Sequence, residues 1–231
     1  MPRSCGTVQQ NLFSFVSFVV SKVFMKIGVL ALQGDFDAHR KRLEELGAEV
    51  VLVKKPEQLD EIDGLVIPGG ESGAFLKILG EQGFEKLKEF VRLKPTFGTC
   101  AGAIMLAKEI TNPDQPGLGA LDISIRRNAY GRQIDSSIRT GETALSGGPI
   151  EMVFIRAPKI ERVGPGVEVI ATEGRDKDPV AVRQGRVMAA TFHPELSDDT
   201  RVHRAFLDLV SRHISEVVIL SGPQAAKDLC S

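Results

Sequence analysis

The sequence predicts an α/β fold, in which a mostly parallel sheet is flanked by helices and continued by an antiparallel extension. Two observations carry this prediction. Between residues 25 and 93, short apolar runs alternate with segments of helical periodicity, which is the pattern of successive βαβ units. After residue 107 the segments become shorter and richer in strand-forming residues. With 231 residues, of which 42% are hydrophobic, the chain can enclose one sizeable core, so we expect one globular domain.

The first half of the chain supplies the predicted parallel strands and their helices. The predicted strands cover residues 27–32, 49–53, 64–67 and 95–98. The predicted helices cover residues 35–46, 72–79 and 84–93. Ligands of such folds bind at the carboxyl ends of the strands, so we expect the segment 68–70 and Cys100 to line one crevice.

The second half supplies the predicted antiparallel extension and a closing helix. The predicted strands cover residues 118–127, 152–156, 167–172, 180–183 and 187–192. An amphipathic pattern over residues 200–213 predicts the last helix.

The first 24 residues are set apart from this pattern. Residues 12–20 are apolar and follow Arg3, as in a signal sequence, but they are too short to span a bilayer and no small-residue cleavage site precedes Met25. We interpret residues 1–24 as an N-terminal extension, disordered or upstream of the native start, with a targeting role as the alternative. The predicted domain then covers residues 25–214, and residues 215–231 are a C-terminal tail.

Cys100 is the candidate nucleophile. It lies between Gly98 and Gly102, where an extended run gives way to a helical one, and such a turn exposes its middle residue. The amino end of the following helix favours the thiolate. A buried structural cysteine is the alternative, and a partner base decides between the two.

His193 and Glu195 supply that base and its orienting group. They flank Pro194, which favours extended backbone at the preceding residue, so both side chains are expected on the same side. Glu195 can accept a hydrogen bond from one ring nitrogen while the other nitrogen takes the proton of Cys100. The three residues therefore predict a catalytic triad.

Further residues are candidates for binding an acyl substrate. Gly70 ends a strand and precedes a helix, so its amide and that of Ala101 are candidates for an oxyanion hole. Arg127 continues the apolar face of its predicted strand and therefore needs an anionic partner, either a substrate carboxylate or a structural acid. Arg156, which closes another apolar run, presents the same two alternatives.

Composition excludes several classes of function. The net charge is −1 with acids and bases interleaved, so neither a nucleic acid nor a membrane partner is indicated. The three cysteines have no disulfide-like spacing, which favours a reducing cytoplasm. His39, His203 and His213 lie in helical segments without ligand spacing, so we expect surface or packing roles and no metal or cofactor.

With these residues in view, the chain resembles the class I, triad-type glutamine amidotransferases, which implies a flavodoxin-like sheet. Within that family it is similar to the glutaminase subunits of pyridoxal 5'-phosphate synthases. The similarity covers about residues 25–212 and follows six motifs in family order. They are Leu-Ala-Leu-Gln-Gly-Asp at 30–35, Pro-Gly-Gly-Glu-Ser at 68–72, Gly-Thr-Cys-Ala-Gly at 98–102, Arg-Asn-Ala-Tyr-Gly-Arg-Gln at 127–133, Phe-Ile-Arg-Ala-Pro at 154–158 and Phe-His-Pro-Glu-Leu at 192–196.

The resemblance implies a reaction and its residues. Cys100 would attack the side-chain amide of L-glutamine, His193 would protonate the departing ammonia, and Glu195 would orient His193. The residues implied to bind glutamine are Gly70, Glu71, Ser72, Arg127, Ile155 and Arg156. Ammonia would pass to a barrel-shaped synthase subunit that makes the vitamin B6 cofactor. The chain departs from the family pattern at Gly73, where threonine is usual, and at Arg126, where an acid is usual.

Three alternatives remain at this point. The first is an amidotransferase subunit serving another pathway, which would share the triad but have a different acceptor protein. The second is a non-hydrolytic cysteine sensor or chaperone, which would need neither His193 nor Glu195 at this spacing. The third is a glutaminase fold retained only as a binding module.

Overall fold

The computed structural model describes residues 25–129 and 136–220. Its strands are β1 (Lys26–Leu30), β2 (Glu49–Val53), β3 (Gly64–Ile67), β4 (Thr96–Thr99), β5 (Ala107–Thr111), β6 (Leu121–Arg126), β7 (Ser136–Thr143), β8 (Ile150–Ile155), β9 (Lys159–Val163), β10 (Glu168–Glu173), β11 (Asp178–Gln184) and β12 (Val187–Ala190). Its α-helices are α1 (Phe36–Glu45), α2 (Ser72–Leu93), α3 (Ala101–Leu106) and α4 (Arg201–Leu220), and two 3-10 helices cover Pro56–Glu61 and Pro194–Leu196.

The main sheet begins with five parallel strands. Its order is β2-β1-β3-β4-β12-β11-β10-β7-β8, and the neighbours from β2 to β12 all run parallel. Every residue of β3, β4 and β12 is buried, as expected of strands covered on both faces. The register pairs Ala190 with Thr99, so the residues that follow β4 and β12 emerge side by side. The predicted parallel α/β sheet is therefore confirmed.

The other four strands of this sheet form the antiparallel extension. Each of β11, β10, β7 and β8 pairs antiparallel with its neighbour. The carboxyl end of β8 returns to the same edge as β4 and β12, where the Val153 carbonyl accepts a 2.8 Å hydrogen bond from the backbone N–H of His193.

A second, three-stranded sheet has the order β5-β6-β9. Leu121, Ile123 and Ile125 alternate along β6 and are fully buried, which fits the predicted inward face of this strand. Arg126 points the other way and forms an ion pair with Glu161 at 2.8 Å.

The helices cover both faces of the main sheet. Side chains alternate along β3, so that Leu65 and Ile67 join a cluster with Phe75 of α2, while Val66 joins a cluster with Phe206 of α4. The predicted helices over 72–79 and 84–93 form one element, α2, which is kinked at Gly80.

Helix α4 extends beyond the predicted end at residue 213 and continues through residues 215–220, part of the segment predicted as a tail. The division of the chain into a domain and two tails stays a prediction, since residues 1–24 and 221–231 lie outside the described residues. No helix in the described ranges is long and apolar enough to cross a membrane.

Candidate active site

Cys100 occupies a strained turn between β4 and α3. Its backbone has φ 46° and ψ −101°, a left-handed conformation that costs a non-glycine residue about 1–3 kcal/mol. The glycines on either side permit the turn. A Cβ on Gly102 would lie 2.0 Å from the Ile67 carbonyl oxygen, and one on Gly98 would lie 2.6 Å from the Gly102 backbone. The strand-to-helix turn expected from the sequence is therefore present.

His193 and Glu195 lie directly after β12. The Nδ1 atom of His193 is 2.7 Å from Oε1 of Glu195, and both residues are 3% exposed. The backbone differs from the extended one expected, because Pro194 begins a 3-10 helix, a position that suits its fixed φ. The two side chains nevertheless meet as predicted.

The ring of His193 also faces the nucleophile. Burial lowers the pKa of His193, but hydrogen bonds with Cys100 and Glu195 outweigh it and raise that pKa from 6.5 to about 10. Burial raises the pKa of Glu195, yet the hydrogen bond and the charge of His193 help to bring it below its usual value. The imidazole therefore holds a proton between an anionic carboxylate and the sulfur at neutral pH.

A cavity of about 330 Å³ opens above Cys100 and His193. Besides these two, the residues predicted from the sequence that line it are Gly70, Glu71, Ser72, Arg127, Ile155 and Arg156. Glu195 and Ala101 are buried behind its wall. The residues that the sequence did not single out but that also line it are Gln33, Asp35, Ile104, Asn128 and Pro158.

Gln33 fixes the loop that carries Gly70. Its side-chain Nε2 donates to the Glu71 carbonyl at 2.9 Å, and its Oε1 accepts from the Glu71 backbone N–H at 3.2 Å. Gly70 has φ 130°, a conformation that other residues rarely adopt. Gln33 falls within the first of the six motifs, which is the only sequence signal for its role.

Arg127 and Arg156 both line this cavity. Arg127 reaches the Pro113 carbonyl at 3.5 Å through its guanidinium, and Arg156 is exposed with φ 45°. Neither guanidinium forms an ion pair within residues 25–129 and 136–220. The choice between a substrate carboxylate and a structural acid therefore stays a prediction for both arginines.

Two histidines that were expected at the surface or in general packing lie instead behind the triad. His39 of α1 and His203 of α4 are both fully buried. His39 Nε2 is 3.3 Å from Glu195 Oε2 and 3.0 Å from Thr99 Oγ1, and His39 Nδ1 is 3.0 Å from His203 Nε2. The sequence pattern indicates the burial of both rings in part. His39 shares the inward face of α1 with Leu43, and His203 shares the inward face of α4 with Phe206.

Asp35, His193 and Glu195 each offer a potential metal-ligand atom, and these atoms lie within 4.8 Å of one another. The hydrogen bond between His193 and Glu195 accounts for the closeness of two of them.

Comparisons with known proteins agree with this geometry. Residues 29–212 match the SNO glutamine amidotransferase family. "Pyridoxal 5'-phosphate synthase subunit PdxT" of Koribacter versatilis is 71% identical over 186 residues, which cover 80% of this chain and 96% of the relative. The protein of the same description from Solibacter usitatus is 52% identical over 189 residues, which cover 79% of this chain and 97% of the relative. A solved structure described as a glutamine amidotransferase superposes with a TM-score of 0.74 at 47% identity, over 80% of this chain and 98% of that one.

Proposed function

Because the chain belongs to the SNO glutamine amidotransferase family, we propose that it is the glutaminase subunit of a pyridoxal 5'-phosphate synthase. It hydrolyses L-glutamine to L-glutamate and ammonia, and a synthase subunit consumes the ammonia. The observation that carries the proposal is the strained turn at Cys100, which faces His193 and Glu195 at the base of one cavity.

The reaction takes place in two halves. The Cys100 sulfur attacks the side-chain carbonyl carbon of glutamine, and the electron pair of the C=O bond moves onto oxygen. When that bond re-forms, the C–N bond breaks and His193 gives its proton to the leaving nitrogen, so ammonia and a thioester result. Water then attacks the thioester, His193 takes the proton of the water, and glutamate leaves as the sulfur is released. Glu195 keeps the ring oriented in both halves.

The developing negative charge on oxygen needs donors close to Cys100. The backbone N–H groups of Gly70 and Ala101 take this role in the proposal. Gly70 is suited to it because Gln33 clamps the loop at Glu71 and a side chain at position 70 would collide with Gln33 at 2.7 Å. A fixed donor costs little reorganisation during the reaction.

The remaining predicted residues bind the amino-acid end of glutamine. Arg127 and Arg156 provide positive charge for its carboxylate, because a guanidinium can donate two parallel hydrogen bonds to that group. Glu71, Ser72 and Ile155 form part of the wall around the substrate.

The partner in this proposal is a synthase subunit of barrel shape that joins the ammonia to sugar phosphates. The chain itself carries no cofactor and acts in the cytoplasm, with residues 25–214 as the catalytic unit. Ammonia must reach the acceptor before it is protonated in bulk water, so the two subunits work as a complex.

The test is a glutaminase assay of the full chain with its cognate synthase subunit. We expect glutamate release that Cys100→Ala abolishes. The same variant should still support cofactor formation when ammonium salt replaces glutamine, because only the ammonia source is lost. Absence of glutamate release from the wild-type complex would exclude a glutaminase. Glutaminase activity without cofactor formation would favour an amidotransferase of another pathway.

A further inference from the structure

We propose that His39 is a positioning residue for the triad. Its ring presents a neutral N–H to the oxygen of Glu195 that faces away from His193, and His203 determines which nitrogen of His39 carries the proton. The inference rests on the proposed roles of Cys100, His193 and Glu195, and it extends them into helices α1 and α4.

Glu195 Oε2, the second oxygen of the carboxylate, is buried. Oε1 contacts His193 at 2.7 Å, whereas Oε2 accepts no regular hydrogen bond from the described residues. A buried carboxylate oxygen without a donor is costly. His39 Nε2 lies 3.3 Å from this oxygen, and both side chains are fully shielded from solvent. His39 is therefore placed to stabilise this oxygen.

The hydrogen-bond partners select one tautomer of each histidine. If His203 Nε2 donates to His39 Nδ1, then His39 Nε2 carries the proton and directs it toward Glu195 and Thr99. In this arrangement His203 Nδ1, which has no hydrogen-bond partner, carries only a lone pair. In the opposite arrangement His203 Nδ1 would be a buried N–H without an acceptor, and the His39 lone pair would face the carboxylate. The first arrangement costs less, because no ring N–H lacks an acceptor and no ring lone pair faces the carboxylate.

Both rings act as neutral groups. Burial lowers the pKa of His39 further than the nearby carboxylates of Glu195 and Asp35 raise it, and the charge of His193 also lowers it. Burial likewise lowers the pKa of His203, to about 3, with Arg42 adding to the effect and Glu195 opposing it. A neutral donor can hold Glu195 in place without cancelling the negative charge that His193 needs.

The contact with Thr99 links His39 to the strand that carries Cys100. Thr99 precedes Cys100 directly, and its hydroxyl lies 3.0 Å from the same nitrogen that faces Glu195. His39 thus contacts both the carboxylate of Glu195 and the residue that precedes Cys100.

Two substitutions with side chains of similar length distinguish the effect of the hydrogen bond from the effect of packing. His39→Gln places an amide nitrogen near the position of Nε2, whereas His39→Met fills the space without a donor. In the complex with the synthase subunit, we expect His39→Met to lower the kcat for glutamine hydrolysis by about 10- to 100-fold, the range for losing a hydrogen bond to a charged group. KM for glutamine should change little, and His39→Gln should recover most of the lost kcat.

Nitrogen-15 NMR of the histidine rings in the wild-type chain provides a readout that does not depend on activity. We expect His39 and His203 to be neutral at pH 7 with the proton on Nε2. A proton on Nδ1 of His39, or an imidazolium, would overturn the proposal even if His39→Met failed to fold. Equal losses of kcat in the two variants would also overturn it. A wild-type complex without glutaminase activity would instead refute the proposed function.

Discussion

In the proposed mechanism Glu195 stabilises the charge of the His193 imidazole, and its substitution should reveal this. Glu195→Gln keeps the shape but removes the negative charge 2.7 Å from His193 Nδ1. We expect the pKa of His193 to fall from about 10 and kcat to fall by roughly 100-fold or more. Histidine NMR titration and glutaminase rates are the measurements.

Asp198→Asn is the matched control for this change. Asp198 carries the same charge three residues later but is exposed and pairs with Arg42 at 2.8 Å. We expect neither the ring titration nor kcat to respond. An unchanged His193 titration in Glu195→Gln would contradict the account of the triad.

Gly70 and Gly73 flank the same loop but should respond oppositely to alanine. Gly70 has φ 130° and lies against Gln33, so Gly70→Ala should distort the loop and lower kcat strongly. At Gly73 a Cβ would meet only the Glu71 carboxylate, 2.8 Å away at the end of a flexible side chain. Gly73→Ala should therefore raise the unfolding free energy by about 0.5–1 kcal/mol through helix propensity. Urea denaturation measures this, and destabilisation by Gly73→Ala would show that the helix start is strained.

At the scale of elements, the kink in α2 depends on one residue. Gly80 has φ 61°, and a Cβ there would meet nothing within 4 Å, so only backbone conformation opposes a side chain. Gly80→Ala should lower the unfolding free energy by about 1–2 kcal/mol. Gly83→Ala is the control, because its Cβ would make only ordinary contacts from 3.4 Å onward. Equal effects of the two substitutions on urea unfolding would argue against a left-handed Gly80.

Sequence patterns predicted the elements that consist of strongly apolar or glycine-bounded segments. Strands β1 to β3 are nearly continuous apolar runs, and β4 lies between Pro95 and the glycine-bounded turn at Cys100. Strands β5, β7 and β9 were not predicted separately, because Lys, Glu, Arg and Thr alternate within them and half of each strand faces water. The pairings of β7 with β10 and of β9 with β6 join strands that others separate along the chain, and local periodicity does not contain such pairings.

Some residues of the candidate site could likewise be predicted from the sequence, and others could not. Cys100, His193 and Glu195 could be predicted because the chemistry needs those residue types next to glycine and proline. His39 and His203 could be predicted as inward-facing residues of their helices but not as neighbours of Glu195, because these helices meet β4 only in the folded molecule. Of the motif at 127–133, Arg127 was predicted to bind glutamine, and residues 130–133 lie outside the described residues.

At the scale of the whole molecule, buried histidines limit stability on the acid side. The folded pKa values of His39 and His203 lie below the unfolded value of 6.5, so the unfolded state binds more protons as the pH falls. Stability should therefore decrease below pH 6.5, by up to about 1.4 kcal/mol per pH unit for each ring. His203→Gln should show a shallower decrease between pH 7 and 5 in urea unfolding. An equal slope in both proteins would contradict the burial of a neutral His203.

His193 has the opposite sign and limits stability on the alkaline side. Its folded pKa of about 10 exceeds 6.5, so its contribution is complete below pH 6.5 and is lost as the pH rises toward 10. Together the three rings place the stability maximum near neutral pH.

The pairing of β12 with β4 has a consequence for how the protein matures. Ala190 and Thr99 are partners across this ladder, and the backbone N–H of Cys100 donates to the Ala190 carbonyl at 2.9 Å. Strands so far apart along the chain associate late and slowly during folding. A slip of a single position would turn the imidazole to the opposite face of the sheet. Turnover thus reports whether β12 has paired with β4 in the correct register. Chains in which these two strands are misaligned would be compact but catalytically inactive.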